Sequence, residues 1–318
     1  MKGDNSMVLP PATQGTKYMY RLWLRIRRHW QLYLLILPAV AAIYIFHYVP
    51  IYGLQIAFRN YRPSKGIWGS AWVGLEHFQR FFTYMGFWPI IRNTLSISIY
   101  TIAVFPCAVI LSLMINEVAN SGYKRYVQMV SYAPHFVSTV IVCSMVLLFT
   151  QYSNGLFNNL RASLGLNRMD IITVPRYFSS IYVWSGVWQN IGWDTIIYLA
   201  ALSAVSPELI EAAKIDGAGR LRIIRNVIFP CILPTVVTML ILSTGRVLSV
   251  GFEKVFLLQN SLNMDASRVI STYVYEIGIE GGQFSYSAAI GLFNNVVNVV
   301  FIVAVNKIAK RVTSVGLW

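Results

Sequence analysis

Ionisable side chains are scarce in this sequence, and the informative ones sit where charge is costly. Asp194 and Arg246 fall inside strongly apolar stretches. A charge near the middle of a membrane-crossing helix costs ~2.5–3.5 kcal/mol on insertion scales, so such a residue marks a function or a fixed partner. Polar and aromatic residues accompany them at helical spacing. Asn190, Asp194 and Tyr198 recur at i, i+4 and i+8 and share one helix face. Ser243, Arg246 and Ser249 repeat every three residues, and Asn294, Asn295 and Asn298 cluster near the C-terminus. Carboxylate, amide and guanidinium groups of this kind can pair with hydroxyls, while Trp188 and Trp193 offer flat faces. One reading is a polar pathway through apolar helices. The other is an Asp194–Arg246 ion pair, or separate polar contacts, that fixes helix packing.

A second charged group has a different setting. The segment from Ala204 to Asn226 carries Glu208, Glu211, Lys214, Asp216, Arg220, Arg222 and Arg225 between two apolar spans. Helix–helix connections need only ~2–8 residues, so this one is more than a connector. Ser206-Pro207-Glu208 is a helix start, with a hydroxyl cap, Pro in the first turn and a carboxylate at the positive end. Leu209, Ala212 and Ala213 then form a small apolar face, and Glu211 and Lys214 are spaced for a surface ion pair. Gly217 suits a helix end that needs positive φ, and Gly219 offers a second break before LRIIRNVIF. The expected product is a short interfacial helix, a turn and a second short helix. Such an elbow is either a docking surface or a plain amphipathic corner.

Covalent chemistry has no support. The four histidines, His29, His47, His77 and His135, form no HExxH and no pair at metal-ligand spacing. No Ser lies in a GxSxG context. The sequence has no Gly-Lys dipeptide, so the Walker phosphate loop is missing and any ATP hydrolysis must belong to a partner. No catalytic residue and no metal ligand is therefore assigned. The three cysteines, Cys107, Cys143 and Cys231, lie in or beside apolar spans and read as small packing residues, not as a disulfide framework.

The elements that must position these groups are membrane helices. Of 318 residues, 56% are hydrophobic and 12% charged, with a mean hydropathy of +0.55. A crossing helix needs ~20 mostly apolar residues, and six stretches qualify: about 32–58, 91–115, 126–150, 178–205, 228–251 and 284–306. Runs such as YLLILPAVAAIYIF do not alternate as barrel strands would, and unbroken apolar runs satisfy their backbone as helices. The fold expected is an all-α polytopic membrane protein. A basic, aromatic arm covers residues 1–31, the membrane domain 32–306 and a tail 307–318. The first span is preceded by some 30 residues and exceeds a signal-peptide core of ~7–15, so it is kept as a helix.

Lys and Arg favour the arm, the loop at Lys124 and Arg125, the Glu211 loop and the tail, which predicts that these share the cytoplasmic side. The net charge of +14 invites a nucleic-acid reading. It is rejected, because the basic residues border the membrane, where anionic headgroups account for them. The run YRLWLRIRRHWQLY reads as an interfacial anchor.

One pattern carries a family resemblance. Glu211-Ala212-Ala213, three residues, Gly217, nine residues, Val227, one residue, Phe229-Pro230 resembles the EAA loop of ABC importer permeases. That family has Ile and Leu where Val227 and Phe229 stand here. The run AAKIDGAG is similar to the maltose-type, carbohydrate-importing branch. VLSVGFEKVFLLQN and STYVYEIGIEGGQFSYSAAIGLF resemble permeases of polysaccharides and oligosaccharides. The resemblance implies a bacterial plasma-membrane subunit that docks Glu211, Ala212, Ala213, Asp216 and Gly217 on a cytoplasmic ATPase. It implies two such ATPases, holding ATP and Mg, a second permease chain and an extracytoplasmic solute-binding protein. Transport would follow alternating access. An acidic saccharide such as alginate would suit the basic exterior and Arg246, and neutral oligosaccharides are the alternative substrate. The competing readings are an ion-gradient-driven secondary sugar transporter and a purely structural membrane scaffold.

Overall fold

The computed structural model describes residues 27–245, 247–313 and 316–317. Arg246 and most of the N-terminal arm therefore lie outside the described residues. The chain divides into two compact units, Met1–Gln55 and Ile56–Trp318.

The first unit is dominated by the apolar helix α1 (Trp30–Ile43), which contains Pro38 and buries none of its residues. It passes into a π-helical turn over Tyr44–Tyr48 and then a 3-10 stretch, Val49–Phe58, within which the boundary after Gln55 falls.

The second unit opens with a short antiparallel hairpin, β1 (Arg59–Arg62) and β2 (Gly66–Trp72). These two strands lie outside the apolar spans. Helix α2 (Glu76–Thr83) follows, then α3 (Phe87–Ala103) and α4 (Pro106–Asn116), which together form one 30-residue apolar run. Next come α5 (Ser121–Tyr132), α6 (Thr139–Thr150) and α7 (Leu156–Ser163). The long α8 (Pro175–Ser203) leads into α9 (Pro207–Ile215) and α10 (Arg220–Ile223), and a π-turn joins α10 to α11 (Phe229–Thr244). Three short helices, α12 (Phe252–Leu258), α13 (Met264–Ser267) and α14 (Ile270–Tyr275), precede the last helix, α15 (Phe284–Thr313).

Among the described residues, four helical runs are long and apolar enough to cross a membrane, and the number reaches six if each of two bent pairs is one span. The expected span over 126–150 is not one straight helix. It breaks after Ala133–Phe136, with a 96° bend before α6. Pro134 cannot sustain the helix ladder, and Ser138 restarts it by accepting from the Ile141 N–H at 3.4 Å. The expected span over 228–251 is also corrected: its helix begins upstream at Arg220 and stops at Thr244. The last helix runs seven residues past the predicted 306.

Among the described residues, three apolar cores stack along the second unit. Near the hairpin, Phe81, Phe87, Ile90, Tyr273, Tyr286 and Ile290 pack together. In the middle, Ile97, Phe178, Val250, Val255 and Val269 do so. At the other end, Ala108, Val109, Tyr198, Leu202, Ile223 and Ile232 form the third. Helices α8 and α5 meet closely at Gly192, where a Cβ would lie 2.0 Å from the Ser131 carbonyl oxygen. Only a residue without a side chain allows that approach.

Candidate functional site

A cavity of about 1380 Å3 opens between α3, α8, α11 and α12. Its wall includes Ser98 and Thr101 from α3, Asn190, Trp193, Asp194 and Tyr198 from α8, Ser243 from α11 and Lys254 from α12. The i, i+4, i+8 face of α8 is therefore brought to one surface, as its period requires.

Around Asn190 the wall is built by hydrogen bonds and rings. The Asn190 amide nitrogen donates to the Gly186 carbonyl at 3.1 Å, which leaves its oxygen to accept from His135 Nδ1 at 2.9 Å. The His135 ring lies flat on Trp193, 4.3 Å between centroids and 7° from parallel, and Phe136 meets Trp193 edge-on. His135 sits in the break of the third span, so the bend itself delivers the imidazole to α8. Asp194 is exposed into the cavity, one residue past the stacked indole. Tyr198 is 2% exposed and backs the wall against Phe105.

Other predicted pathway residues go elsewhere. Trp188 is exposed and does not line the cavity. Asn298 is buried and acts as a latch, accepting from the Leu248 N–H at 2.9 Å and donating to Ser249 Oγ at 2.9 Å. That bond holds the chain where α11 has ended. Asn294 keeps its amide oxygen buried without a partner among the described residues, and Asn295 is exposed away from the cavity. Arg246 is outside the described residues, so no Asp194–Arg246 pair is described.

Two residues of this region carry no pathway signal in the sequence. His135 stands behind the wall and braces Asn190 and Trp193. Lys254 is in the wall, 9% exposed, and its ammonium donates to the Tyr182 carbonyl at 2.8 Å and lies 4.9 Å from the Tyr182 ring centroid. Burial lowers its pKa to about 8.

The Glu211 segment forms a separate surface. Ser206 caps α9 by accepting from the Glu208 N–H at 3.3 Å. At the far end Gly217 has φ +73°, its N–H bonds to the Lys214 carbonyl, and the Ala218 N–H bonds to that of Ala213. This pair of bonds is a Schellman closure, which satisfies the last carbonyls of the helix. Ile210, Ala213 and Ala218 pack on the third core. Glu211, Ala212, Lys214, Asp216 and Gly217 face outward. The expected Leu209–Ala212–Ala213 face is thus split, since Leu209 and Ala212 are exposed while Ala213 turns inward. The expected Glu211–Lys214 ion pair is not formed. Arg220 instead pairs with Glu117 at 2.7 Å, joining this segment to the end of α4. Beside the carboxylates, Ile215 and Leu221 stand 87% and 81% exposed.

Membrane-crossing helices around a cavity whose wall carries Asn190, Asp194 and Lys254, with a capped and outward-facing elbow at one end, define the membrane subunit of a transporter. The chain belongs to the family of binding-protein-dependent transport system inner membrane components, which it matches over residues 81–314. It is a multi-pass inner-membrane permease subunit of an ABC transporter. It is 41% identical to the polygalacturonan/rhamnogalacturonan transport system permease protein YteP of Bacillus subtilis, over 94% of this chain and 93% of that one. Its fold matches a chain of a bacterial ABC transporter that imports the acidic polysaccharide alginate. The TM-score is 0.85 at 39% identity, over 92% of this chain and 99% of that chain. A second structure of the alginate transporter, in complex with an alginate pentasaccharide-bound periplasmic protein, matches equally, with TM-score 0.85 and 39% identity over 93% and 100%.

Proposed function

We propose that this chain forms half of the translocation pathway of an ATP-driven importer for an acidic oligo- or polysaccharide. The observation that carries the reading is the likeness, over more than nine-tenths of both chains, to a permease of an alginate importer. The cavity wall supports it. Asn190 and Asp194 supply hydroxyl-pairing groups, Trp193 a flat face, and Lys254 a cation suited to carboxylates. Family membership disfavours the ion-gradient alternative.

In this reading the capped α9 is the coupling helix. Glu211, Ala212, Asp216 and Gly217, flanked by the apolar Ile215 and Leu221, dock in a groove of a cytoplasmic ATPase. Two such ATPases bind and hydrolyse ATP with Mg, and both termini of this chain lie in the cytoplasm. A second permease chain completes the pathway, and a solute-binding protein delivers the saccharide outside. ATP-driven closure of the ATPases moves α9, and the Arg220–Glu117 pair links that motion to α4. The test is uptake into proteoliposomes holding the whole complex and its binding protein. Labelled uronate oligomers should enter on ATP addition, and uptake of neutral oligomers alone would sink the acidic reading.

A further inference from the structure

A second cleft, of about 560 Å3, lies at the end of the bundle opposite the Glu211 segment. The 30-residue run Phe87–Asn116 begins two residues past Met85 on the cleft rim and ends beside Glu117, the partner of Arg220. At 1.5 Å per residue such a run spans about 45 Å, so cleft and elbow face opposite membrane surfaces. None of the cleft's lining residues lines the central cavity.

Cations and phenols build this cleft. The Arg80 guanidinium lies 4.3 Å from the ring centroid of Tyr286. Arg268 lies 5.1 Å from that of Tyr273 and pairs with Glu276 at 2.5 Å. Tyr84 stacks on Tyr273, 5.3 Å between centroids and 13° from parallel. Glu276 offsets the charge of Arg268, so the cleft keeps one uncompensated cation, Arg80. Among the described residues no carboxylate pairs with Arg80, which is exposed. A guanidinium held against a ring presents its N–H edge in the fork geometry that binds a carboxylate through two parallel bonds.

We infer that this cleft is an acidic-saccharide subsite at the outer mouth of the permease, seating one uronate carboxylate on Arg80 beside the Tyr84 ring. The inference rests on the proposed import of an acidic saccharide. The concave, phenol-walled shape fits a small hydroxylated ring, and its volume lies in the range of small-molecule pockets. A polymer threaded from outside would meet this subsite before the central cavity.

The test uses the complete complex with its binding protein in proteoliposomes, with alginate pentasaccharide, a galacturonate oligomer and maltopentaose as probes. Arg80→Gln should raise the KM for the acidic probes about tenfold, the scale of one charge-assisted contact, and Arg80→Lys should recover part of it. An unchanged KM for the acidic probes in Arg80→Gln would overturn the subsite. An equal loss of affinity for the unliganded binding protein would also overturn it, by making the cleft a protein contact. Uptake of maltopentaose alone by the wild-type complex would remove the acidic-solute reading, and the subsite with it.

Discussion

His135 and Trp193, 58 positions apart in sequence, lie ring on ring at 4.3 Å, while the same imidazole donates to Asn190. The broken third span is thereby tied to the cavity face of α8. One contact sets two things: the indole angle at the cavity wall, and the position of the bend that carries His135.

His135→Ala removes one side-chain hydrogen bond and one stack. Together these contribute on the order of 1–2 kcal/mol. The KM for saccharide uptake should rise several-fold while assembly with the other subunits persists. His135→Phe should preserve the stack and recover part of the loss. Equal uptake by wild type and His135→Ala would remove the bracing role.

Lys254 predicts a pH dependence. Its folded pKa, about 8, lies below the unfolded value near 10.5. Below pH 8 both states are protonated and the full cost of the buried charge is present. Between about pH 8 and 10.5 the unfolded chain binds more protons, so stability rises with pH. Thermal unfolding of the purified complex should show this rise, and Lys254→Met should abolish it. Acidic-saccharide uptake should fall over the same range as the wall loses its cation.

Gly192→Ala places a methyl against the Ser131 carbonyl oxygen and should push α8 off α5. Overpacking of this kind costs about 1–3 kcal/mol. A lower melting temperature and a perturbed His135–Asn190 contact are expected, the latter visible as altered Trp193 fluorescence. A variant that melts with the wild type would show that the two helices separate freely.

Glu211→Lys should leave α9 folded, because the side chain is exposed and makes no ion pair among the described residues. Copurification of the ATPase should nonetheless fall, and ATP-driven uptake with it. Gly217 tests the shape of the elbow. At φ +73° Gly217→Asn should retain more coupling than Gly217→Val, since Asn tolerates left-handed backbone and a β-branched residue does not. Full ATPase association in Glu211→Lys and Gly217→Val would end the coupling reading.

The elbow was largely legible in sequence because capping is local. Ser206, Pro207 and Gly217 act within a turn or two of their own backbone, so their types announce the helix start and stop. The break at Ala133–Phe136 was legible only in hindsight: Pro134 marks it, but an apolar run on both sides reads as one span. Nothing local announces the exposure of Ile215 and Leu221, and the packing of Ile210 and Ala213 on the third core turns them outward.

Sequence alone determined the membrane class, the apolar character of the spans, the capped elbow and the face of α8 that carries Asn190, Asp194 and Tyr198. Length, hydropathy and 3.6-residue periodicity act along the chain, and they suffice for that. Tertiary structure alone decided that Lys254 joins this wall and His135 braces it, while Asn298 becomes a latch. It also decided that Trp188 looks away and that Arg80 gathers with three tyrosines at the other end. Those outcomes depend on how closely helices approach, and that is set by contacts such as Gly192 against Ser131, between residues far apart in the chain.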